Sequence, residues 1–593
     1  MRKIFLTFIQ VLFAIVVTAQ ADGWQTFYEK TSGRETPRYA ETMAYCRRMA
    51  DASREITLTS FGKSGQGRDL PLLILDRDGF SRPEDIRASG RTVVLIQACI
   101  HAGESEGKDA GLMLLRDLGI LHSRPSLLDG VTVLFIPIFN TDGHERFGPF
   151  NRINQNGPRE MGWRTTASNL NLNRDFLKAD TPEMKAWLRM FNEWLPDFFI
   201  DSHTTDGADY QYVLTYLLEI YGDMDDHLTD WTKKVFIPRM EEHMNQGGYP
   251  VFPYVGFRNW HDPRSGLITE VAPPMLSQGY TALRNRPGLL IETHMLKPYA
   301  RRVEATYACM LTTLEILAGE KQTIRRLVRD ADKFVSGEGF LKTPFPLKYE
   351  TRQDDSTMVD FLGVSYTSEK SDLSGGDWFK YGTTNETWKI PYFSTARPVL
   401  SVELPYGYII PAEWGEVIER LKIHGIRMTL LPEEKTATVS TYRFINPAWQ
   451  QNPYEGRHLM THIEYEEISE TRSFPTGSAV VELNQPAGRI IPHLLEPKGN
   501  GSLLSWGFFD AIFEQKEYGE SYVIEKIARE IIRTDTAIEK EFREKMTSDT
   551  VFAHNPRLIL NWFYNRSSWA DSRKGVYPVG RIVSREELDK LRR

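Results

Sequence analysis

The feature that most restricts the fold of this chain is a set of continuous apolar runs, each leading to a polar side chain. Three of these runs precede or contain an imidazole or carboxylate: RTVVLIQACI before His101, PDFFIDS before His203, and RPGLLIE, which ends in Glu292. Strands that are apolar throughout are typical of a parallel sheet buried on both faces. In such a sheet the strand ends face a common crevice. The sequence therefore predicts an α/β fold with a doubly wound, mostly parallel sheet and a polar site at one edge.

Strands and helices alternate through the first half of the chain. Strands are predicted at 70–76, 92–100, 131–140, 197–202 and 289–292. Leucines at helical spacing predict a helix over 105–121, and a long helical pattern covers 303–334. The stretch SGEGFLKTPFP follows, and its Gly and Pro residues indicate a domain boundary. We therefore expect a first domain over 22–335 and an accessory region over 340–593, rich in β-structure and helical towards its C-terminal end.

Residues 1–21 have the layout of a cleavable export signal. Two basic residues precede a mostly apolar run, and the small-residue pattern Ala19-Gln20-Ala21 follows it. The run is too short and wrongly flanked for a stable membrane span, and no later segment carries the apolar length that a span requires. We therefore expect an exported protein, secreted or periplasmic, that is cleaved near Ala21 and has no transmembrane segment in its mature chain.

Composition argues against two kinds of site. A net charge of −7, without a long basic run, gives no electrostatic surface for nucleic acid. The cysteines Cys46, Cys99 and Cys309 are far apart in the sequence and provide no zinc-thiolate motif. A metal site in this chain would therefore use imidazole and carboxylate ligands.

A His-x-x-Glu motif at 101–104 supplies two potential metal ligands. The spacing alone is weak evidence, since 493–496 repeats it in a region that offers no third ligand. The first motif follows a buried strand and opens a helix through a Gly-containing turn, so both side chains can reach one point above the sheet edge. His203, at the end of another apolar strand, completes the ligand set of a catalytic zinc, which keeps one position open for water. The sequence predicts one Zn²⁺ per chain, bound by His101, Glu104 and His203.

The motifs HAGE, NLNRDF, DSHTTDG and LLIET, in this order, resemble the zinc carboxypeptidase family typified by carboxypeptidase A. The resemblance covers about residues 40–320. It implies a mixed, mostly parallel sheet, one catalytic zinc, and hydrolysis of peptide bonds from the C-terminal end. The residues that match the family's motifs are His101, Glu104 and His203 as zinc ligands, Glu292 as general base, Asn173 and Arg174 as the pair that holds the substrate's terminal carboxylate, and Arg164 as the arginine that steadies the oxyanion.

The chemistry of these residue types agrees with the resemblance. A carboxylate beside a zinc-activated water can take its proton and later pass it to the leaving amine, which is the role expected of Glu292. A guanidinium binds a carboxylate through two charge-assisted hydrogen bonds, so Arg174 next to an amide donor suits a free C-terminus. Arg164 has two competitors in the same loop for the oxyanion role, Arg152 and Arg159.

The sequence departs from the family pattern at three positions. Gly103 stands where the digestive enzymes carry an arginine that contacts the penultimate substrate residue. Asn171 replaces an aspartate that orients a zinc-bound histidine, and its carbonyl oxygen can do the same for His101. The tyrosine that caps the substrate carboxylate has its nearest counterpart in Tyr280, although the spacing to Glu292 is too short for a transfer.

Our leading hypothesis is an exported zinc metallocarboxypeptidase that acts on a peptide or peptide-like substrate with a free C-terminal carboxylate. A zinc amidase that acts on peptidoglycan stem peptides or N-acyl amino acids is the alternative, because the same metal and carboxylate-binding pair serve any amide next to a free carboxylate. A catalytically inactive secreted binding protein of the same fold is an alternative from another class. It is disfavoured because the ligand and base positions are all filled.

Overall fold

A computed structural model describes residues 23–593, and the predicted export signal lies outside the described residues. The strands of the first half are β1 (Ile56–Lys63), β2 (Asp69–Leu75), β3 (Thr92–Gln97), β4 (Val131–Ile136), β5 (Phe198–Thr205), β6 (Leu214–Leu217), β7 (Val251–Pro253), β8 (Gly256–Asn259), β9 (Asp262–Ile268) and β10 (Gly288–His294). Eight of them form one sheet, in the order β1-β2-β4-β3-β5-β10-β6-β7.

The centre of this sheet is parallel. Strands β4, β3, β5 and β10 run in the same direction, whereas β2 and β6 flank them in antiparallel orientation. The predicted α/β fold with a mostly parallel sheet is confirmed, and all five predicted strands are present with shifted ends. Three of the predicted strands are too long or too short: β3 and β4 end before the polar turn that follows them, and β5 continues through His203.

Both faces of the sheet are buried, which explains its continuous apolar strands. Because side chains alternate along a strand, Val94 and Ile96 of β3 belong to one hydrophobic core, and Val93 and Leu95 belong to the other. Every residue of the central strands β3, β4 and β5 is buried.

The helices of the first half are α1 (Phe27–Lys30), α2 (Tyr39–Ala52), α3 (Pro83–Ser89), α4 (Glu106–Gly119), α5 (Thr141–Glu145), α6 (Pro182–Trp194), α7 (Asp226–Trp231), α8 (Ile237–Gln246), α9 (Ser277–Leu283), α10 (Tyr299–Gly319), α11 (Lys321–Val335) and α12 (Glu338–Leu341). The helical stretch expected over 303–334 is present. Two helices cover it, because the first ends at Gly319 and Glu320 leaves the helical conformation.

The accessory region contains a two-stranded sheet, a hairpin and a six-stranded sheet. Its strands are β11 (Phe345–Thr351), β12 (Thr357–Lys370), β13 (Asp377–Phe393), β14 (Ala396–Val402), β15 (Gly407–Ile410), β16 (Thr429–Leu430), β17 (Lys435–Trp449), β18 (Met460–Phe474), β19 (Ala479–Glu482) and β20 (Gly580–Ile582). Its helices are α13 (Gly415–Ile423), α14 (Ile490–Leu495), α15 (Ser521–Thr534), α16 (Thr536–Ser548), α17 (Thr550–Ala553), α18 (Pro556–Tyr564) and α19 (Arg585–Arg592). The β-rich region with C-terminal helices agrees with the sequence.

The two halves of the chain contact each other through a strand pairing and a common hydrophobic core. Strand β13 pairs with β9, and the core on one face of the large sheet includes accessory residues such as Tyr408 and Leu421. The division at 335–340 stays a prediction, since the two parts pack as one continuous core at this face. Among residues 23–593, no helix combines the length and the apolar sequence that a membrane crossing requires.

Candidate metal centre and substrate cavity

Three neighbouring strands bring acidic and imidazole side chains to one edge of the large sheet. Strand β3 leads to His101 and Glu104, β5 carries His203, and β10 carries Glu292. Strand β5 lies between β3 and β10, and His203 on β5 pairs in register with Glu292 on β10. The sheet thus assembles residues that are about a hundred or more positions apart in the sequence.

A strained turn separates β3 from the first motif. Cys99 is fully buried and has a φ of 57°, a left-handed conformation that costs a non-glycine residue roughly 1–3 kcal/mol. Backbone hydrogen bonds from Phe139 and Asn140 to the carbonyls of Ala98 and Cys99 hold the turn. The chain is thereby redirected at the sheet edge, where His101 and Glu104 stand.

The three candidate ligands converge on one point. Nδ1 of His101 lies 3.2 Å from Nδ1 of His203, and each of these nitrogens lies 3.1 Å from an oxygen of Glu104. Two ligands at about 2.1 Å from a tetrahedral zinc are about 3.4 Å apart, so the observed spacing fits a zinc ion. Among the described residues, no second cluster of His, Cys, Asp or Glu has such spacing.

Neighbouring side chains fix the outward nitrogens of both imidazoles. Nε2 of His101 lies 3.1 Å from Oδ1 of Asn171, and Nε2 of His203 lies 2.9 Å from Oδ2 of Asp201. Each acceptor favours the tautomer with a proton on Nε2 and a free lone pair on Nδ1. Both Nδ1 atoms therefore point at the same space as the Glu104 oxygens, so the donor set fits a bound metal.

Electrostatics at the centre follow from burial. Burial lowers the pKa of His101 to about 4, which keeps its imidazole neutral as a ligand must be. Burial opposes ionisation of Glu104, but His101 and Arg152 hold the pKa of this carboxyl well below its usual range. Burial favours a neutral His203, but Asp201 and Glu104 raise the pKa of this imidazole well above 6.5, so a bound metal would displace a proton from it.

Glu292 has a different environment from Glu104. Its Oε2 is enclosed and has no hydrogen-bond partner among the described residues. Burial raises the pKa of Glu292 to about 8, against the opposing charge of His203. A dication held by the neighbouring ligands would act in the opposite direction and favour the carboxylate. A carboxyl group balanced in this way can exchange a proton near neutral pH.

The three arginines considered for the oxyanion role differ in their positions and partners in the structure. Arg152 donates from Nη2 to Glu104 Oε1 at 2.8 Å, and Arg164 Nη1 lies 3.5 Å from the same oxygen. Arg159 pairs with Glu35 and its side chain is 78% exposed, so it is no longer a competitor. Both Arg152 and Arg164 line the cavity. Nothing in the sequence indicated that Arg152 would lie nearer the metal centre.

Arg152 also accounts for Gly103. A Cβ at this position would lie 2.7 Å from the Gly162 carbonyl oxygen and 2.8 Å from Cγ of Arg152. The Arg152 side chain thus occupies the space beside Glu104 that a side chain at 103 would need. This packing explains the glycine in the HAGE motif.

A cavity of about 580 Å³ opens above the metal centre. Its lining includes all seven residues predicted from the sequence: His101, Glu104, Arg164, Asn173, Arg174, His203 and Glu292. Arg174 donates from Nη1 to the Asn173 carbonyl oxygen at 2.6 Å, and Asn173 Oδ1 accepts from the backbone of Ser277 at 3.3 Å.

Tyr280 does not belong to this cavity. It is fully buried and its hydroxyl lies 3.0 Å from Nδ1 of His424, so it cannot cap a substrate, in line with its short spacing to Glu292 in the sequence. Tyr254 lines the cavity instead, together with Gln278. Neither residue lies in a motif, and only the folded chain shows that they face the site.

Comparisons with known proteins find zinc carboxypeptidases. Residues 42–216 match the family model described as zinc carboxypeptidase. The chain is 23% identical over 498 residues to carboxypeptidase 2 of Trichophyton rubrum, covering 81% of this chain and 85% of that protein, and 24% identical over 506 residues to carboxypeptidase 2 of Trichophyton equinum, with the same coverage.

Among solved structures, a putative carboxypeptidase A from Shewanella denitrificans overlaps 48% of this chain and 69% of its own with 17% identity and a TM-score of 0.36. The family match includes the HAGE, NLNRDF and DSHTTDG motifs. The resemblance expected from the motifs is therefore confirmed over residues 42–216, and the domain match together with the carboxypeptidase relatives supports a zinc carboxypeptidase hydrolase.

Proposed function

We propose that this protein is an exported carboxypeptidase that binds one zinc ion through His101, Glu104 and His203 and removes residues from the free C-terminal end of a peptide. The observation that supports this most strongly is that one cavity holds the three candidate ligands, an unpartnered carboxyl at Glu292, and the Asn173 and Arg174 pair. One bound peptide can thus contact both the hydrolytic groups and the pair that binds its terminal carboxylate.

When bound, zinc would supply a Lewis acid that makes an attacking water acidic near neutral pH. Glu292, whose carboxyl group lines the same cavity, accepts the water proton and later returns it to the leaving amine. Arg164 faces the same space and donates to the oxygen on which negative charge develops, a contribution of roughly 3 kcal/mol for one preorganised donor. Arg152 is the second candidate for that donor.

Arg174 and Asn173 bind the terminal carboxylate of the substrate. The guanidinium has donors left over after its bond to the Asn173 carbonyl, and they face the cavity. A peptide that ends in an amide cannot form the charge-assisted pair, and it leaves this cation without a partner. Selection for a free C-terminus follows from that difference.

Export and the extent of the catalytic domain form part of the proposal. The basic, apolar and small-residue pattern of residues 1–21 supports cleavage near Ala21, and N-terminal sequencing of the mature protein tests it. The catalytic domain would extend over 22–335, with 340–593 as the accessory region.

One peptide prepared with a free and with an amidated C-terminus tests the exopeptidase proposal. We expect kcat/KM to favour the free acid in wild type, and Arg174→Ala to lower kcat/KM for the acid by about 10²-fold while changing the amide little. Arg159→Ala is the matched control, because this arginine is exposed and pairs with Glu35 outside the cavity. Equal cleavage of both peptides by wild type, or cleavage of internal bonds first, would contradict the proposal and favour an endopeptidase or an amidase.

A further inference from the structure

A hairpin of the accessory region extends to the catalytic residues. Strands β17 and β18 pair along most of their length and are joined by residues 450–459, which we call the hairpin tip. The tip contacts the segment Leu170–Arg174, which contains the proposed carboxylate-binding pair. These two segments are about 280 residues apart in the sequence, so the contact depends entirely on the fold.

Tyr454 of the hairpin tip contacts the guanidinium of Arg174. Arg174 donates from Nε to the Tyr454 hydroxyl at 3.1 Å. The Tyr454 ring stacks on the buried ring of Trp506, with centroids 6.1 Å apart and planes 17° apart. Since the indole fixes the phenol ring, the hydroxyl stands at a defined point beside the guanidinium.

This contact decides which donors of Arg174 are left for a substrate. A guanidinium can bind a carboxylate side-on through Nε and one Nη, or end-on through both Nη atoms. Tyr454 occupies Nε, and the Asn173 carbonyl accepts one proton of Nη1. The end-on pair is therefore the one directed at a substrate carboxylate.

Glu455 holds the other end of the same segment. Its Oε2 accepts from the backbone nitrogen of Asn171 at 2.8 Å, and Asn171 in turn contacts His101. Glu455 and Gly456 both have positive φ, 48° and 78°, as the two central residues of a tight hairpin turn require. Glutamate is an unfavourable residue at such a φ, so its carboxylate contact points to a role beyond the turn itself.

Arg457 fixes the hairpin tip to the catalytic domain. Its Nε and Nη2 donate to the two oxygens of Asp180 at 2.8 and 2.7 Å, and its guanidinium lies over the ring of Phe508. A two-point ion pair of this kind defines an orientation as well as a distance. The tip is thus held firmly enough to orient the residues that it contacts.

We infer that the hairpin tip is a positioning element of the substrate site, in which Tyr454 and Glu455 set Arg174 and its segment for end-on binding of the substrate's terminal carboxylate. The accessory region then forms part of the machinery that selects a free C-terminus. This inference rests on the proposed exopeptidase function.

Steady-state kinetics of full-length variants on the acid and amide forms of one peptide tests the inference. Tyr454→Phe removes only the hydroxyl and keeps the ring on Trp506. We expect KM for the acid to rise about three- to tenfold, with kcat within about twofold and kcat/KM for the amide unchanged. Tyr465→Phe is the matched control, since Tyr465 lies on β18 of the same hairpin and packs against Tyr442.

Glu455→Gly provides a second variant that separates positioning from stability. Glycine accepts a positive φ freely, so the melting temperature should stay unchanged or rise, while KM for the acid still increases because Asn171 loses its contact. A structural role alone would instead leave KM unchanged.

Two results would overturn the inference. If Arg174→Ala removes the preference for the acid but Tyr454→Phe and Glu455→Gly keep wild-type KM, the hairpin tip does not position the site and the proposed function stands. If wild type shows no preference for the acid, the proposed function fails and this inference fails with it.

Discussion

The environment of His424, which lies where the two halves of the chain pack together, predicts a loss of stability in acid. This histidine follows α13 in the accessory region and is fully buried against catalytic-domain residues. Its Nε2 lies 2.9 Å from the Leu177 carbonyl oxygen, and its Nδ1 lies 3.0 Å from the Tyr280 hydroxyl. Burial, together with the cations Arg284 and Arg420, lowers the pKa of His424 from 6.5 to about 3.

The sign and size of the effect follow from proton linkage. Between about pH 3 and 6.5 the unfolded chain binds a proton at His424 that the folded chain does not, so the free energy of unfolding rises with pH in this window. One proton corresponds to about 1.4 kcal/mol per pH unit. From pH 6.5 down to pH 4.5 this residue alone should therefore remove roughly 2–3 kcal/mol of stability.

His424→Gln tests this reasoning, because glutamine keeps a distal N–H for the Leu177 carbonyl and does not titrate. We expect a lower free energy of unfolding at pH 6.5, from altered packing, but a loss between pH 6.5 and 4.5 that is smaller than in wild type by roughly 2 kcal/mol. Urea unfolding at both pH values measures it, and His554→Gln, an exposed histidine of the accessory region, serves as control. An equal pH-dependent loss in His424→Gln and wild type would refute the argument.

Two further variants test catalysis and packing. Glu292→Gln should retain zinc and the folded structure but lose about 10²–10⁴-fold in kcat, because the amide cannot accept the water proton; activity within about threefold of wild type would identify another base. Gly111→Ala should destabilise the fold by about 1–3 kcal/mol in urea, since a Cβ there would lie 2.2 Å from Cζ of buried Phe135. Gly319→Ala, where a Cβ meets nothing within 4 Å, should not destabilise it.

The sequence was sufficient for the central sheet and for seven of the residues that line the cavity. Strands buried on both faces are apolar throughout, and their carboxyl ends share one edge, so His101, His203 and Glu292 could be placed together before any coordinates. The short strands β6 and β7 carried too few residues for a periodic signal, and the long hairpins carry polar residues on both exposed faces. The alternation of apolar and polar residues therefore did not predict the full extent of these strands.

The residues that the sequence could not place are those whose role depends on contacts between distant segments. Arg152 lies beside Glu104 because its loop folds back over Gly103, and Tyr280 lies in the core because α9 packs its aromatic face inward. Tyr454 contacts Arg174 across the junction between the two halves. None of these contacts leaves a spacing or a motif in the sequence.

Metal analysis of His203→Ala beside wild type tests the central claim most directly. Both proteins would be purified, loaded with zinc, dialysed and assayed for zinc by mass spectrometry, with circular dichroism to verify folding and His458→Ala, an exposed histidine, as control. We predict one zinc per chain in wild type and in the control and a large loss of zinc in His203→Ala, because three protein ligands are needed to hold a catalytic zinc. Full zinc occupancy in folded His203→Ala would contradict the proposed site.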